Sequence, residues 1–193
     1  MPRPFADQPG SGLHLHQRMQ EPLLDDGGEL GSVGRGFVTG QLAHARALCA
    51  IAAPTVNSYK RLHAGSEAPG AVVWAHMNRG ALVRVSSYRG PDASVEYRGA
   101  DPSANPYLLV TGLIAAGLDA VEHDLSLPAP TEETAGGYDP ASTSQRVEPL
   151  PRNAVEVAAR AQLGDHREGQ HLHPTSEDVV GWRRGEEPRR WSG

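Results

Sequence analysis

The sequence is short of several residue types, and each shortage excludes a class of protein. Cys49 is its single cysteine, so neither an internal disulfide nor a multi-cysteine zinc site can form. The net charge of −5 argues against a basic surface for nucleic acid. No apolar run approaches the roughly 20 residues of a membrane-spanning helix, and the first residues lack the apolar segment of a signal peptide. We therefore expect a cytoplasmic protein without membrane or nucleic-acid partners.

Helix-type spacing of apolar residues occurs in three segments of the chain. The first, 32–53, ends at Pro54, and Cys49 within it is predicted to be a buried, unreactive thiol. The second, 107–122, follows the helix-start signal Asn105-Pro106, and the third spans 153–163. The predicted apolar side of the second helix comprises Leu108, Leu109, Leu113, Ile114 and Leu118.

Short β-prone runs supply the rest of the expected fold. They are 12–17, 71–76, 81–88 and 94–98. Asn78-Arg79-Gly80 separates the second run from the third, which predicts a hairpin or meander and not a parallel crossover. The sequence therefore predicts an α+β fold in which an antiparallel sheet packs against helices.

Two regions are expected along the chain. Residues 1–150 contain the predicted core, including a surface loop at 124–149 that is rich in Pro, Thr, Glu and Ser. Residues 151–193 hold a short helix and a tail in which apolar periodicity is lost. That tail is either a solvated terminus or a frameshifted end that was never selected to fold.

Two histidines, His14 and His16, follow a glycine-rich turn that contains Gly10 and Gly12. On a strand, His-x-His places both rings on one face, a common arrangement of metal ligands, and glycines let the backbone approach a ligand closely. The alternative is an ordinary turn followed by partly exposed histidines. Residues 55–69 likewise read as a polar loop after a helix, either for binding or as a solvated connection.

Arginines accumulate on or beside the predicted strands, at Arg79, Arg84, Arg89 and Arg98. Strand alternation places Glu96 and Arg98 on one face, as a structural ion pair or as part of a site. Several guanidinium groups on one sheet suit a multiply charged anion such as phosphate, because each donates a bidentate fork. The alternative is a set of arginines that point to solvent.

Taken in order, these segments resemble the catalytic domain of the glutamine synthetase family. The resemblance covers roughly residues 2–122 and rests on four stretches: RPF…PGSGLHLH, GQLAHARALCAIAAPTVNSYKRL…GSEAP, NRGALVRV and VEYRGADPSANPYLLVTGLIAAGLDAVE. It implies a ligase in which ATP phosphorylates glutamate and ammonia then displaces the phosphate. It also implies two divalent metals, Mg²⁺ or Mn²⁺, which neutralise the transferring phosphoryl group.

The resemblance implies roles at the matching positions on the metal and nucleotide side. His14 and Glu96 would ligate one metal ion. His16, Arg79 and Arg84 would contact the phosphates of ATP.

Roles on the glutamate side follow from the same resemblance. Gly10 would lie beside bound glutamate, Arg61 would hold its carboxylate, and Arg98 would bind the glutamyl phosphate. Glu67 resembles a flap residue that shields the acyl phosphate from water and takes a proton as ammonia attacks. Arg61, Glu67 and Arg79 form the expected catalytic set.

Some positions depart from the family pattern. Arg3 stands where lysine is usual, Arg18 replaces a serine near the expected nucleotide, and Ser94 replaces a basic residue. Family members also carry a smaller β-grasp domain and an upstream half of the catalytic domain, which supply most of the metal-ligating glutamates. We therefore expect an incomplete catalytic domain that is inactive, or very weakly active, alone.

Three other readings remain open. The acceptor amine could be a polyamine or another amine, as in relatives within the same family. The chain could be a non-catalytic remnant that acts only as a partner of full-length family subunits. A simple His-x-His metal-binding module is the third.

Overall fold

The computed structural model describes residues 1–19, 23–25, 28–62, 68–85, 92–132 and 147–163. The chain divides into two units, Met1–Gln162 and Leu163–Gly193, and the following concerns the first. Predictions for Glu67, for Arg89 and for the tail beyond residue 163 lie outside the described ranges. No helix within those ranges is long and apolar enough to cross a membrane.

The described residues form helices and short strands, in agreement with the predicted α+β class. The helices are α1 (Ser32–Ala43), α2 (Ala45–Ala52), α3 (Val56–Leu62), α4 (Pro106–Glu122) and α5 (Ala154–Leu163). The strands are β1 (Leu15–Gln17), β2 (Trp74–Ala75), β3 (Val83–Val85) and β4 (Val95–Tyr97).

The single helix predicted for 32–53 is interrupted at His44, which separates α1 from α2. The His44 backbone N–H donates to the carbonyls of Gly40 and Leu42, and its ring Nε2 lies 2.8 Å from Oδ2 of Asp119 on α4. Apolar spacing continues across this one-residue break, so periodicity alone could not reveal it.

Helix α3 replaces part of the loop predicted for 55–69. Thr55 and Ser58 cap it reciprocally, since Ser58 Oγ accepts the Thr55 amide and Thr55 Oγ1 accepts the Ser58 amide, each at 3.1 Å. These bonds satisfy backbone donors of the first turn, as in a capping box. The loop prediction was wrong for Val56–Leu62, and Arg61 consequently lies on a helix.

Helix α4 begins where the sequence predicts. The Asn105 side chain accepts from the Tyr107 and Leu108 amides at 3.0 and 3.3 Å, and Pro106 occupies the first turn. Its buried side differs from the predicted one: Leu108, Ile114 and Leu118 are exposed. The residues that pack inward are Leu109, Leu113, Ala116, Gly117 and Ala120. Because α4 is apolar on several sides, spacing did not identify its core-facing stripe.

The sheet has the order β1-β4-β3-β2. Strand β4 pairs antiparallel with β1 and β3, but β2 and β3 are parallel, so the predicted all-antiparallel sheet and hairpin are wrong. The Val73 carbonyl accepts both the Leu82 amide at 3.0 Å and the Val83 amide at 3.2 Å. The segment that joins β2 to β3 therefore turns at Asn78 and runs back along β2 as far as Val73. Strand β3 then starts beside the beginning of β2, so the two strands run in the same direction.

Cys49 is buried in the core, as predicted, and burial raises its pKa to about 12. Compared with the ordinary value of 9.0, this lowers the thiolate fraction at pH 8 about a thousandfold. We expect a maleimide or disulfide reagent to label the folded protein far more slowly than the denaturant-unfolded chain. Equal labelling rates in the two states, followed by mass spectrometry, would contradict the burial of this thiol.

Candidate active site

The centre of the candidate site is Glu96, in the middle of β4. It stands directly opposite His16 on β1 and opposite Arg84 on β3. Residues directly opposite each other on adjacent strands share one face of a sheet, as do residues two apart on one strand. This register brings His16, Glu96 and Arg84 into one row, with Arg98 beside it.

Glu96 is surrounded by cationic and imidazole side chains. Its Oε2 lies 2.6 Å from Arg84 Nε, and its Oε1 lies 2.9 Å from both Arg98 Nη1 and His14 Nδ1. His16 Nε2 is farther, at 3.9 Å from Oε1. Because the Glu96 side chain is only 4% exposed, water screens these attractions weakly.

The electrostatics of Glu96 follow from these neighbours. Burial by itself would raise the pKa of the carboxyl group, but the hydrogen bond from His14 and the charges of Arg98 and Arg84 outweigh it. Their sum lowers the pKa of Glu96 from 4.5 to about 2. The carboxylate is therefore ionised at all physiological pH values.

Arg61 joins the cluster from α3. Its Nη2 donates to the Arg98 carbonyl at 3.2 Å and its Nη1 to the Gly99 carbonyl at 3.4 Å. A Cβ atom at Gly12 would lie 2.6 Å from Arg61 Nη2 and 3.0 Å from His14 Nε2. A Cβ atom at Gly10 would lie 3.1 Å from Arg61 Cγ. The Gly10–Gly12 segment, which the structure does not form into a turn, thus lies against the Arg61 side chain because neither glycine carries a side chain.

The site residues predicted from the sequence are distributed as follows. The residues gathered around Glu96 and Arg61 are Gly10, His14, His16, Arg84 and Arg98. Arg79 is exposed in the connection between β2 and β3, and no hydrogen bond or ion pair joins it to that cluster among the described residues. Glu67 belongs to 63–67, outside the described ranges.

Sequence reasoning missed the anchoring of the Gly10–Gly12 segment by the first residues of the chain. The Arg3 amide donates to Asn57 Oδ1 at 2.6 Å, and Asn57 Nδ2 donates to the Arg3 carbonyl at 2.8 Å. The Ser11 amide donates to the Pro2 carbonyl at 2.7 Å. The first residues of the chain thereby tie Gly10–Gly12 to α3, and only a three-dimensional structure reveals contacts over this sequence distance.

Two of the departures from the family pattern occupy defined places. Ser94 Oγ lies 3.3 Å from His16 Nδ1, so it contacts the imidazole expected at the nucleotide. Arg18 Nη1 lies 3.4 Å from Asp92 Oδ1 in an exposed pair, which contributes little to stability in water.

The cluster suits an anion better than a cation. Both Glu96 oxygens already contact arginine nitrogens, and the described residues contain no group of three His, Cys, Asp or Glu side chains placed to hold a metal ion. A divalent cation of the Mg²⁺ type takes about six oxygen ligands or waters. His14 offers a nitrogen, and both Glu96 oxygens are engaged by arginines, so these two side chains do not fit such a cation in this arrangement and no step of the chemistry below is assigned to a metal.

Comparison with known proteins agrees with this architecture. The family model for the glutamine synthetase catalytic domain matches residues 1–166. The chain is 41% identical over 160 residues to the glutamine synthetase of Methanococcus maripaludis, covering 79% of this chain and 36% of that protein. It is 41% identical over 188 residues to the Archaeoglobus fulgidus glutamine synthetase, covering 89% of this chain and 38% of that protein.

The chain belongs to the glutamine synthetase family, and its residues 1–166 match the catalytic domain of that family. It spans little more than a third of the length of these curated relatives. The family recognised from the sequence motifs is therefore confirmed, and the family is one of ligases.

Proposed function

We propose that this chain forms the arginine-lined wall of a glutamate–ammonia ligase site and is catalytically inactive alone. The observation that carries the proposal is the convergence of Arg61, Arg84 and Arg98 around Glu96. Buried or half-buried guanidinium groups held by backbone and carboxylate partners are preorganised for anions, and they need little reorganisation when an anion binds.

The assigned reaction forms an amide in two transfers. The γ-carboxylate of glutamate attacks the terminal phosphorus of ATP, which releases ADP and leaves a γ-glutamyl phosphate. Ammonia then attacks the acyl carbon, phosphate departs, and the nitrogen loses a proton. Negative charge on the phosphoryl oxygens must be neutralised throughout, which fixed guanidinium groups accomplish.

Each guanidinium group has a distinct task in this proposal. Arg61 binds the carboxylate of glutamate beside Gly10 and Gly12, where side chains are absent. Arg98 stabilises the glutamyl phosphate, and Arg84 and His16 contact the nucleotide phosphates. In this proposal Arg79 binds the phosphates of ATP, and Glu67 shields the acyl phosphate from water and takes a proton as ammonia attacks.

The proposed inactivity has a physical basis in the ligand count. Phosphoryl transfer of this kind needs divalent cations to neutralise the transferred group. His14 and Glu96 do not hold one, because arginines engage both Glu96 oxygens, so the metal ligands must come from elsewhere. The chain alone is then a surface that binds anions but lacks the metal ions needed for phosphoryl transfer.

A combined binding and turnover assay tests the proposal. We expect the purified chain with ATP and Mg²⁺ to form no γ-glutamyl hydroxamate, but to bind L-glutamate in a calorimetric titration. Arg61→Ala should abolish that binding, whereas Arg35→Ala, at an exposed arginine of α1, should preserve it.

Two results would count against the proposal. Hydroxamate turnover that disappears in Arg61→Ala would refute inactivity of the isolated chain. Absence of L-glutamate binding by the wild-type chain would refute the binding role itself.

The pairing of both Glu96 oxygens with arginines favours one second candidate, a non-catalytic partner of full-length family subunits. In that case the cluster is a structural ion network and Arg61→Ala lowers stability without any loss of ligand binding. Co-elution of the chain with the Methanococcus maripaludis enzyme in size-exclusion chromatography supports the second candidate. Separate elution contradicts it.

A further inference from the structure

Helix α4 carries six of the eleven large apolar side chains that are exposed in the described part of the chain. Their exposure ranges from 83% at Tyr107 to 40% at Val121. The other four are Leu108, Val110, Ile114 and Leu118. Their exposed parts add up to about 600 Å², the size at which an apolar patch on a monomer usually marks a binding surface.

Five of these six side chains form a single stripe along α4. They are separated by steps of three and four residues, the spacing that places side chains on one face of a helix. The members of the stripe are Tyr107, Val110, Ile114, Leu118 and Val121. The first, third and fifth recur every seven residues, as the seam positions of paired helices do. The stripe is therefore suited to packing against another helix.

The stripe is symmetric about its central residue, Ile114. When a second copy of α4 lies antiparallel with Ile114 against Ile114, Tyr107 faces Val121, because both are seven residues from the centre. Val110 and Leu118 face each other in the same way, because both are four residues from the centre. Each of these pairs combines a larger with a smaller side chain. A two-fold interface requires such self-matching, since the same surface serves both partners.

The charges of α4 favour the antiparallel direction. Residues 102–118 contain no charged side chain, and acidic residues follow at Asp119, Glu122 and Asp124. In an antiparallel pair Glu122 lies beside Pro106 of the second copy, in the first turn of the helix, where the helix dipole is positive. A parallel pair would bring the two acidic ends together with the negative ends of both dipoles, which is unfavourable.

We propose that α4 is a self-association surface: two copies of this chain pair antiparallel through the stripe, with Ile114 at the two-fold axis. Two such faces bury about 1,200 Å² in total, the lower limit for specific protein–protein interfaces. The expected assembly is therefore a reversible dimer that dissociates on dilution. No stripe residue belongs to the cluster around Glu96, so this pairing is independent of the proposed ligand binding.

Sedimentation equilibrium over about 1–100 μM measures the association. Ile114→Asp places two like charges at the buried axis and should raise the dimer dissociation constant about a hundredfold or more. Val155→Asp is the matched control, because it puts the same charge at a 74% exposed valine of α5 and should leave the dissociation constant unchanged. Circular dichroism checks that both variants keep the helical content of the wild type.

Disulfide cross-linking tests the direction of pairing without a charged variant. Two copies of Ile114→Cys meet at the axis and should form a covalent dimer on mild oxidation. Two copies of Tyr107→Cys should not, since position 107 of each copy lies about 21 Å along the helix from that of the other, beyond the roughly 7 Å between Cα atoms that a disulfide spans. A mixture of Tyr107→Cys and Val121→Cys should cross-link. The wild-type chain, in which Cys49 is buried, gives the background.

Each of the other outcomes overturns part or all of the proposal. A monomer at about 100 μM refutes self-association. A dimer that Ile114→Asp does not weaken refutes the assignment to α4. Cross-linking of Tyr107→Cys to itself refutes the antiparallel direction. A monomer that co-elutes with the Methanococcus maripaludis glutamine synthetase, but no longer does so as Ile114→Asp, assigns the stripe to a full-length subunit instead of a second copy.

Discussion

Substitution of Gly40 by alanine should lower the free energy of unfolding by about 3 kcal/mol, the upper part of the usual range for overpacking. Helices α1 and α4 approach so closely that a Cβ atom at Gly40 would lie 1.8 Å from the Ala116 carbonyl oxygen and 3.0 Å from Gly117 Cα. These are backbone atoms, so no side-chain rotation relieves the clash. The two helices must separate along their contact, which exposes apolar surface.

Denaturant unfolding monitored by circular dichroism measures this effect. Gly70→Ala is the matched control, because a Cβ atom there would meet only the Leu62 carbonyl oxygen at 3.6 Å, an ordinary contact. We expect that variant to remain within about 1 kcal/mol of the wild type. Similar stabilities for the Gly40 and Gly70 variants would contradict the close packing of α1 on α4.

Acidification should remove a defined part of the stability through Glu96. Its pKa is about 2 in the folded protein, against an ordinary value of 4.5. A depressed folded-state pKa contributes stability that is fully present above pH 4.5 and is lost as the pH falls toward about 2. A pKa difference of one between the folded and unfolded states corresponds to about 1.4 kcal/mol, which sets an upper limit of about 3 kcal/mol for this group.

Glu96→Gln isolates this contribution from that of the other carboxyl groups. At pH 7 the variant should be less stable than the wild type by about 3 kcal/mol or more, because the arginines lose their buried counter-charge. That difference in stability should shrink by about 2 kcal/mol at pH 3, where the ionised Glu96 no longer contributes its full stabilisation to the folded wild type. Urea unfolding at the two pH values measures it, and a difference that does not change with pH would refute the ion network.

Much of the helical content was predictable because helix starts and stops are local signals. The Asn105-Pro106 start of α4 is a contact between residues two and three apart, and such contacts are written in adjacent sequence. The side that α4 buries was not predictable. It depends on where α1 packs. The close contact between α1 and α4 is made at Gly40 and Gly117, and glycine does not contribute to an apolar spacing pattern.

The direction of β2 was predicted wrongly for a related reason. Asn78-Arg79-Gly80 correctly indicates a turn, since Gly80 donates to Asn78 Oδ1 at 2.8 Å. A turn signal states that the chain reverses locally and does not state which neighbour the next strand joins. The pairing of β3 with β2 is instead fixed by contacts at Val73, whose carbonyl accepts the amides of Leu82 and Val83.

Some residues of the candidate site could likewise be predicted from local sequence and others could not. Alternation on β4 placed Glu96 and Arg98 together without any structure, and their atoms are 2.9 Å apart. The assignment of Arg61 came from family resemblance, since its own segment resembled an ordinary loop.

The arrangement of the sheet restricts how it can be extended. The outer side of β2 is already occupied, since the Thr131 amide donates to the Trp74 carbonyl at 2.8 Å and the Val72 amide donates to the Glu148 carbonyl at 2.8 Å. Strand β1 is the other terminal strand. Among the described strands, β1 therefore offers the edge at which the sheet could be extended, immediately beside His16. A strand added there would lie next to His16, which stands opposite Glu96, so extending the sheet would change the surroundings of the arginine cluster.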